Sequence, residues 1–405
     1  MKRLRILSLI ETLYCSGGEY RLLNLARHID RVQFDHKIVC LKQETDEFAR
    51  RYGSLRDKFV EAGSEIIDFQ FENFRAQPQR NTARWLALGT KNFAAAVTRV
   101  CRLIENLGVD VIDGHLAAGN RIGAMAGVIT RTPAMVTTYL HQERFSPPAL
   151  YYISQQMAFH MANGIMTDAE RTRDDIKKWM LRPRASFFVV PNGAAPPAPE
   201  MPRDDIFEQF DIPKGRTIVG MIARAVPSKG QLVFLRAAKA IIERHPNCFF
   251  LIVGFVRGSP PYTYRDEILR LAEELGLSDH VRIFGYYGAI GDIWQLIDIH
   301  VHPALEESLP DAIIQGMSLQ KPQVVTDVGG ISSMVQNGVT GFVVPPNQPL
   351  AIADAVSHLI GAPELARRFG DAAYDRYLQG YTGEAMARGI ENALTDLVHS
   401  ARRAC

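Results

Sequence analysis

The chain reads as an α/β protein of two doubly wound domains, and three observations carry that reading. Short β-type runs alternate with amphipathic helical stretches along nearly all of the 405 residues, the pattern of parallel sheets flanked by helices. The alternation comes in two series, separated by PNGAAPPAPEMPR, a Pro- and Ala-dense stretch that is the strongest linker candidate in the chain. The length suffices for two domains, each with its own core, and no solenoid-type repeat is visible.

The first series opens with RILSLI, GEYRLLNLARHI and FDHKIVCL, a strand, a helix and a strand. The basic, apolar beginning invites a signal-peptide reading, but the run is brief, alternates like a strand and meets a glycine-rich loop, so it is read as the first core strand. SEIIDF, a helix over about Thr82–Leu107, DVIDGH and AMVTTYL follow. The second series runs through TIVGMIA, FFLIVG, VRIFG, DIHVHP, PQVVTD and GFVVPP, and the tail from Pro363 is helical. The boundary therefore falls at the linker, giving domains over 1–192 and 193–376 and a helical segment over 377–405.

Composition excludes several classes. With 46 basic and 44 acidic residues the net charge is +2, which gives no reason to propose a nucleic-acid partner. The five cysteines are scattered without a close pair, so neither a zinc cluster nor a disulfide framework is signalled and a reducing cytoplasm fits. No uninterrupted apolar segment approaches the roughly twenty residues that cross a bilayer.

Two segments carry chemistry. In HVHPALEESLPDAIIQGM a buried-type strand ends, Glu306 and Glu307 follow, and a helix begins around Leu309 and Asp311. The unpaired amides and dipole of a helix start favour an anion such as phosphate, while Glu307, just outside, suits hydroxyl groups. In TIVGMIARAVPSKGQLVFLRAAKAI a strand leads through a short loop to an amphipathic helix. The loop sets Arg224 and Lys229 at the carboxyl end of the strand, where open α/β sheets bind ligands. A forked guanidinium and a mobile ammonium suit a diphosphate.

Together these segments resemble the family 4 glycosyltransferases, retaining enzymes of GT-B fold, in which two Rossmann-like domains face each other across a cleft. The resemblance is ordered along the chain: SGGEYRLLNLA with Gly17, Gly18 and Glu19, VIDGHLAAGNRIGAMAG with His115, VTTYLHQE with His141, VVPNGA, the Arg224 and Lys229 loop, VRIFGYY, the Glu307 segment, and DVGGISSMVQNGVTGFVVPP. Two departures stand out. The family spaces two Glu by seven residues, and here the register from Glu307 lands on Gln315; Ser333 stands where an acid is common.

The resemblance implies a nucleoside-diphosphate sugar as donor substrate, with no further cofactor. Arg224, Lys229 and the helix start at Leu309 and Asp311 would neutralise the diphosphate, and Gly17 and Gly18 would let the backbone approach it. Glu307 would hold sugar hydroxyls, His141 would touch the donor sugar, and Gln315 would hold the ribose. Gly285 with Tyr286 or Tyr287 would lie against the nucleobase. His115 is an acceptor-side or a structural group, and the role of Glu19 is open. No Asp-x-Asp motif is found, and GT-B enzymes generally need no metal. The final helix, from about Tyr377, would cross back onto the first domain.

The acceptor is unidentified: a sugar, a lipid-linked sugar or a small molecule. RTRDDIKKWMLRPR carries six basic residues around Trp179 and is a candidate for peripheral contact at the inner face of a membrane, as is the helix around Trp85. Two rival functions are a GT-B nucleotide-sugar epimerase and a non-catalytic, degenerate transferase acting as a binding protein.

Overall fold

The structure is a computed structural model that describes residues 3–45, 49, 53–71, 82–138, 149–180, 185–254, 262–286 and 288–404. The chain divides into two units, Met1–Asn192 with Gly383–Cys405, and Gly193–Thr382.

Among the described residues the first unit is built on a seven-stranded sheet of β1 (Leu4–Ile10), β2 (Phe34–Lys42), β3 (Glu65–Phe71), β4 (Val111–His115), β5 (Ala134–Thr137), β6 (Gly164–Thr167) and β7 (Ser186–Val189). Every pairing is parallel and the order is β3-β2-β1-β4-β5-β6-β7. Helices cover both faces, so β1 is apolar on both. Ile6 and Ile10 pack with Leu22, Ile38 and the final helix, while Leu7 and Leu9 pack with Val100, Ile104 and Ile122.

The second unit repeats the plan with β8 (Thr217–Ile222), β9 (Cys248–Val253), β10 (Val281–Phe284), β11 (Ile299–His302), β12 (Gln323–Thr326) and β13 (Phe342–Val344), in the order β10-β9-β8-β11-β12-β13. The order reverses direction between β8 and β11, as it does between β1 and β4 in the first unit. Such switch points open a crevice at the carboxyl ends of the strands. The loops after β8 and β11 are those that carry Arg224, Lys229 and Glu307.

The segment expected to return near Tyr377 returns later. Tyr377 lies inside the helix Pro363–Gly380, and its hydroxyl donates to the Ala194 carbonyl at 2.9 Å, which ties it to the second unit. The return is made by the helix Gly383–Ala404. Its Met386, Ile390, Leu394 and Leu397 recur at helical spacing and are buried in the first unit's core.

Candidate active site

In the second unit, two loops are stitched together before any side chain is considered. The turn Pro227–Lys229 offers the Ser228 carbonyl to the amides of Leu305 at 2.8 Å and Glu306 at 3.2 Å. Gly230 has φ +76°, and a Cβ there would stand 2.0 Å from the Pro303 oxygen, so only glycine permits this approach. Behind the second loop, Gly329 (φ +54°) comes equally close to the Glu307 carbonyl, and the Gly330 amide donates to the Ser308 carbonyl at 2.8 Å.

This stitching brings Lys229 against Glu307. The Lys229 ammonium donates to Glu307 Oε2, and the two side chains are only 10% and 11% exposed. His302, at the end of β11, places Nε2 3.3 Å from the same oxygen, and the Ser308 amide donates to Oε1 at 3.1 Å. Burial alone would push the Glu307 carboxyl up; the Lys229 charge and then the His302 ring outweigh it and hold the carboxyl well below its usual range. Glu307 is thus a fixed anion. It has no proton to give, but it can accept from hydroxyl groups. Lys229, expected as a mobile loop cation, is instead buried and paired.

Arg224 is exposed, and its side chain makes no ion pair among the described residues. Its carbonyl is held by Gln231 Nε2 at 2.8 Å, and the buried Gln231 is held in turn by the Tyr264 hydroxyl at 3.2 Å. The helix Asp311–Ser318 begins beside Glu307 with Pro310 at its N-cap and no side chain capping it. Leu309 is buried and Asp311 half-buried at that start. Arg224, Lys229, Glu307 and Leu309 therefore lie on the two connections that flank the β8/β11 switch point, and Asp311 opens the helix that follows the second of them.

The remaining expected residues fall differently. Gln315 Oε1 accepts from the indole N–H of buried Trp294 at 2.9 Å. Because an indole can only donate, the amide oxygen faces Trp294 and the NH2 group is turned away from it. Gln315, expected from the resemblance to hold the ribose, therefore presents a donor. Gly285 and Tyr286 follow β10, at the sheet edge, with β9 between it and β8. Tyr286 donates to Asp292 Oδ2 and packs edge-on against Phe210 at 5.8 Å. Burial and the Asp292 carboxylate raise its pKa; Tyr287 lies outside the described residues. Ser333 Oγ donates to the Gly330 carbonyl at 2.6 Å, closing the turn that backs Glu307.

In the first unit, Gly17 opens the helix Gly17–His28, and a Cβ there would meet nothing within 4 Å. Gly18 is packed, since a Cβ would stand 2.8 Å from Leu116 Cδ2. Glu19 is buried and accepts from the hydroxyls of Thr12 and Ser16, which makes it a brace for the turn. His115 is also buried, with Nε2 2.7 Å from Asp113 Oδ2. Asp113 accepts as well from Ser8 Oγ at 3.2 Å, and Ser8 Oγ lies 2.9 Å from His36 Nε2. Burial holds His36 neutral, with its pKa pushed down to about 4. His141 lies outside the described residues.

His302 was not singled out by sequence reasoning. Its signal was there: two histidines two residues apart in an otherwise apolar strand share one face of it. Its neighbour His300 is locked, with Nδ1 2.7 Å from Gln323 Oε1 and the Gln323 amide donating onward to the Ile313 carbonyl at 3.1 Å. Burial pushes the His300 pKa down to about 3.

Two doubly wound units, one of them with cations and a fixed carboxylate at its switch point, have the architecture of the GT-B fold. Residues 202–376 match the model described as glycosyl transferases group 1, and residues 16–193 match that of the glycosyl transferase 4-like domain. The two matches together take in most of the chain, which belongs to the family 4-type glycosyltransferases. The alpha-D-kanosaminyltransferase of Streptomyces kanamyceticus is 27% identical over 57% of this chain and 59% of its own length. The chain spans about half the length of several such curated relatives, 44% for the putative glycosyltransferase EpsD of Bacillus subtilis. A D-inositol 3-phosphate glycosyltransferase of Corynebacterium aurimucosum is 25% identical over 94% of this chain and 91% of its own. The crystal structure of Anabaena HepE in complex with UDP and glucose superposes with a TM-score of 0.77 at 19% identity, covering 97% of this chain and 100% of that one, a likeness of fold.

Proposed function

We propose that the chain is a retaining, metal-independent glycosyltransferase that moves a sugar from a nucleoside-diphosphate sugar to an acceptor hydroxyl. The observation that carries the reading is the Lys229–Glu307 pair at the β8/β11 switch point, beside exposed Arg224 and an uncapped helix start. As the bond from the anomeric carbon to the phosphate oxygen breaks, negative charge grows on the diphosphate. Arg224, Lys229 and the helix amides are placed to stabilise it more in the transition state than before it. The acceptor oxygen bonds to the anomeric carbon on the face the diphosphate leaves, and its proton passes to the departing phosphate oxygen. Glu307, held as an anion, accepts from sugar hydroxyls. The uridine nucleotide and glucose bound by Anabaena HepE support UDP-glucose as the first donor to try.

The acceptor is a sugar, a lipid-linked sugar or a small molecule, and the reaction is placed in the cytoplasm, with peripheral contact at the inner membrane face. No described helix is long and apolar enough to cross a membrane. In the helix Glu170–Trp179, Arg173 pairs with Glu170 and Asp174, and Lys178 pairs with Asp175, so less charge faces an anionic surface than the count of cations suggests.

The experiment is incubation with UDP-glucose, with nucleotide products separated by anion exchange. Release of UDP that is lost in a folded Glu307→Ala variant supports the reading. An altered sugar without free UDP points instead to an epimerase, and no change with any nucleotide sugar points to a binding protein.

A further inference from the structure

Lys229 faces two demands. It neutralises Glu307 in this structure, and the proposed function, on which this inference rests, gives it to the diphosphate. When the ammonium turns to phosphate, Glu307 loses its strongest partner and needs another donor to keep its place. We propose that His302 is the positioning residue that holds Glu307 for the donor sugar.

The chemistry of the contact assigns the tautomer. Glu307 is ionised and has no proton to share, so the atom 3.3 Å from it must be an Nε2–H. Nδ1 is then bare, in agreement with its being buried without any partner. The ring is 1% exposed and anchored on β11, so it cannot follow Lys229 toward a ligand. His300, the next ring on the same strand face, lies 6.0 Å away and is held neutral, so it adds no charge beside His302. The Ser308 amide fixes Oε1 and His302 fixes Oε2. With both oxygens held from the backbone side, the remaining lone pairs stay directed at the crevice whether or not Lys229 is engaged.

The test uses the full chain with His302→Leu, His302→Gln, His302→Asn and Glu307→Ala, assayed for release of nucleotide from UDP-glucose, GDP-mannose and ADP-glucose, with melting temperature as the control for folding. Gln extends an amide to the Nε2 position, whereas Asn reaches only Nδ1. His302→Leu is expected to lower kcat about tenfold or more, the size of one charge-assisted hydrogen bond, with little change in KM. Gln should restore most of the rate and Asn should not. An unchanged kcat in His302→Leu, or Gln no better than Asn, overturns the inference; the Gln and Asn comparison stands even if Leu fails to fold. If wild type releases no nucleotide, or Glu307→Ala turns over like wild type, the proposed function falls, and His302 with it. If Glu307→Ala is inactive while His302→Leu is fully active, only the His302 inference falls.

Discussion

Replacing Lys229 by Met isolates the buried pair at the second unit's switch point. The two side chains are 10% and 11% exposed, so deleting the ammonium strands a carboxylate with little water around it. Breaking a buried pair by removing one partner costs about 3–5 kcal/mol. The His302 ring and the Ser308 amide remain on Glu307, so the lower end, about 3 kcal/mol, is expected. The pH dependence has a defined sign. In the native protein the carboxyl is held below its unfolded value of 4.5, so its stabilisation is present above that pH and is lost as pH falls through the folded value. Without Lys229, burial dominates and the carboxyl rises. The deficit of the variant is therefore largest at neutral pH and shrinks as Glu307 takes up a proton. Urea unfolding followed by tryptophan fluorescence, with Trp294 reporting on the second unit, at about pH 7.5 and about pH 5 measures both values. Lys229→Met combined with Glu307→Gln removes the stranded charge and should recover most of the loss. A deficit below about 1 kcal/mol at neutral pH, the size of an exposed pair, or a double variant no more stable than the single one, refutes the reasoning.

Two further outcomes follow from the same geometry. Arg224→Ala removes an exposed side chain and should change stability by no more than about 0.5 kcal/mol. It should weaken UDP binding about tenfold, read by isothermal titration. In the first unit, the buried ring of His36 has its pKa pushed from 6.5 down to about 4. Its contribution is complete above pH 6.5 and is lost as pH falls toward 4, a difference of about 3 kcal/mol. His36→Gln should flatten that part of the stability profile in acid unfolding curves.

The architecture was readable wherever a strand is long and continuously apolar. TIVGMI and CFFLIV declare themselves because β8 and β9 are buried on both faces. β6 did not, because GIMT is four residues between two helices and has no period of its own. Among candidate site residues, Arg224, Lys229 and Glu307 were singled out by type and place. The partnership of Lys229 with Glu307 was not, since it joins residues 78 apart in sequence through a backbone approach that only Gly230 allows. The contacts of Tyr286 with Phe210 and Asp292 were not legible either, since these two are remote in sequence from one another. For Gln315 the residue type left both hydrogen-bonding modes open, and Trp294 selects between them.

The helix Gly383–Ala404 bears on how the chain matures. Its Met386, Ile390, Leu394 and Leu397 close the hydrophobic interior shared by Ile6, Leu22 and Ile38, each contributing about 1.5–3 kcal/mol if fully buried. On the ribosome, the first unit must therefore wait with an open seam until the helix Gly383–Ala404 emerges, while Gly193–Thr382 can fold in the meantime. A fragment cut at Asn192 would leave that seam uncovered and prone to aggregate. Supplying the carboxy-terminal helix on a short tether should be what makes the lobe soluble by itself.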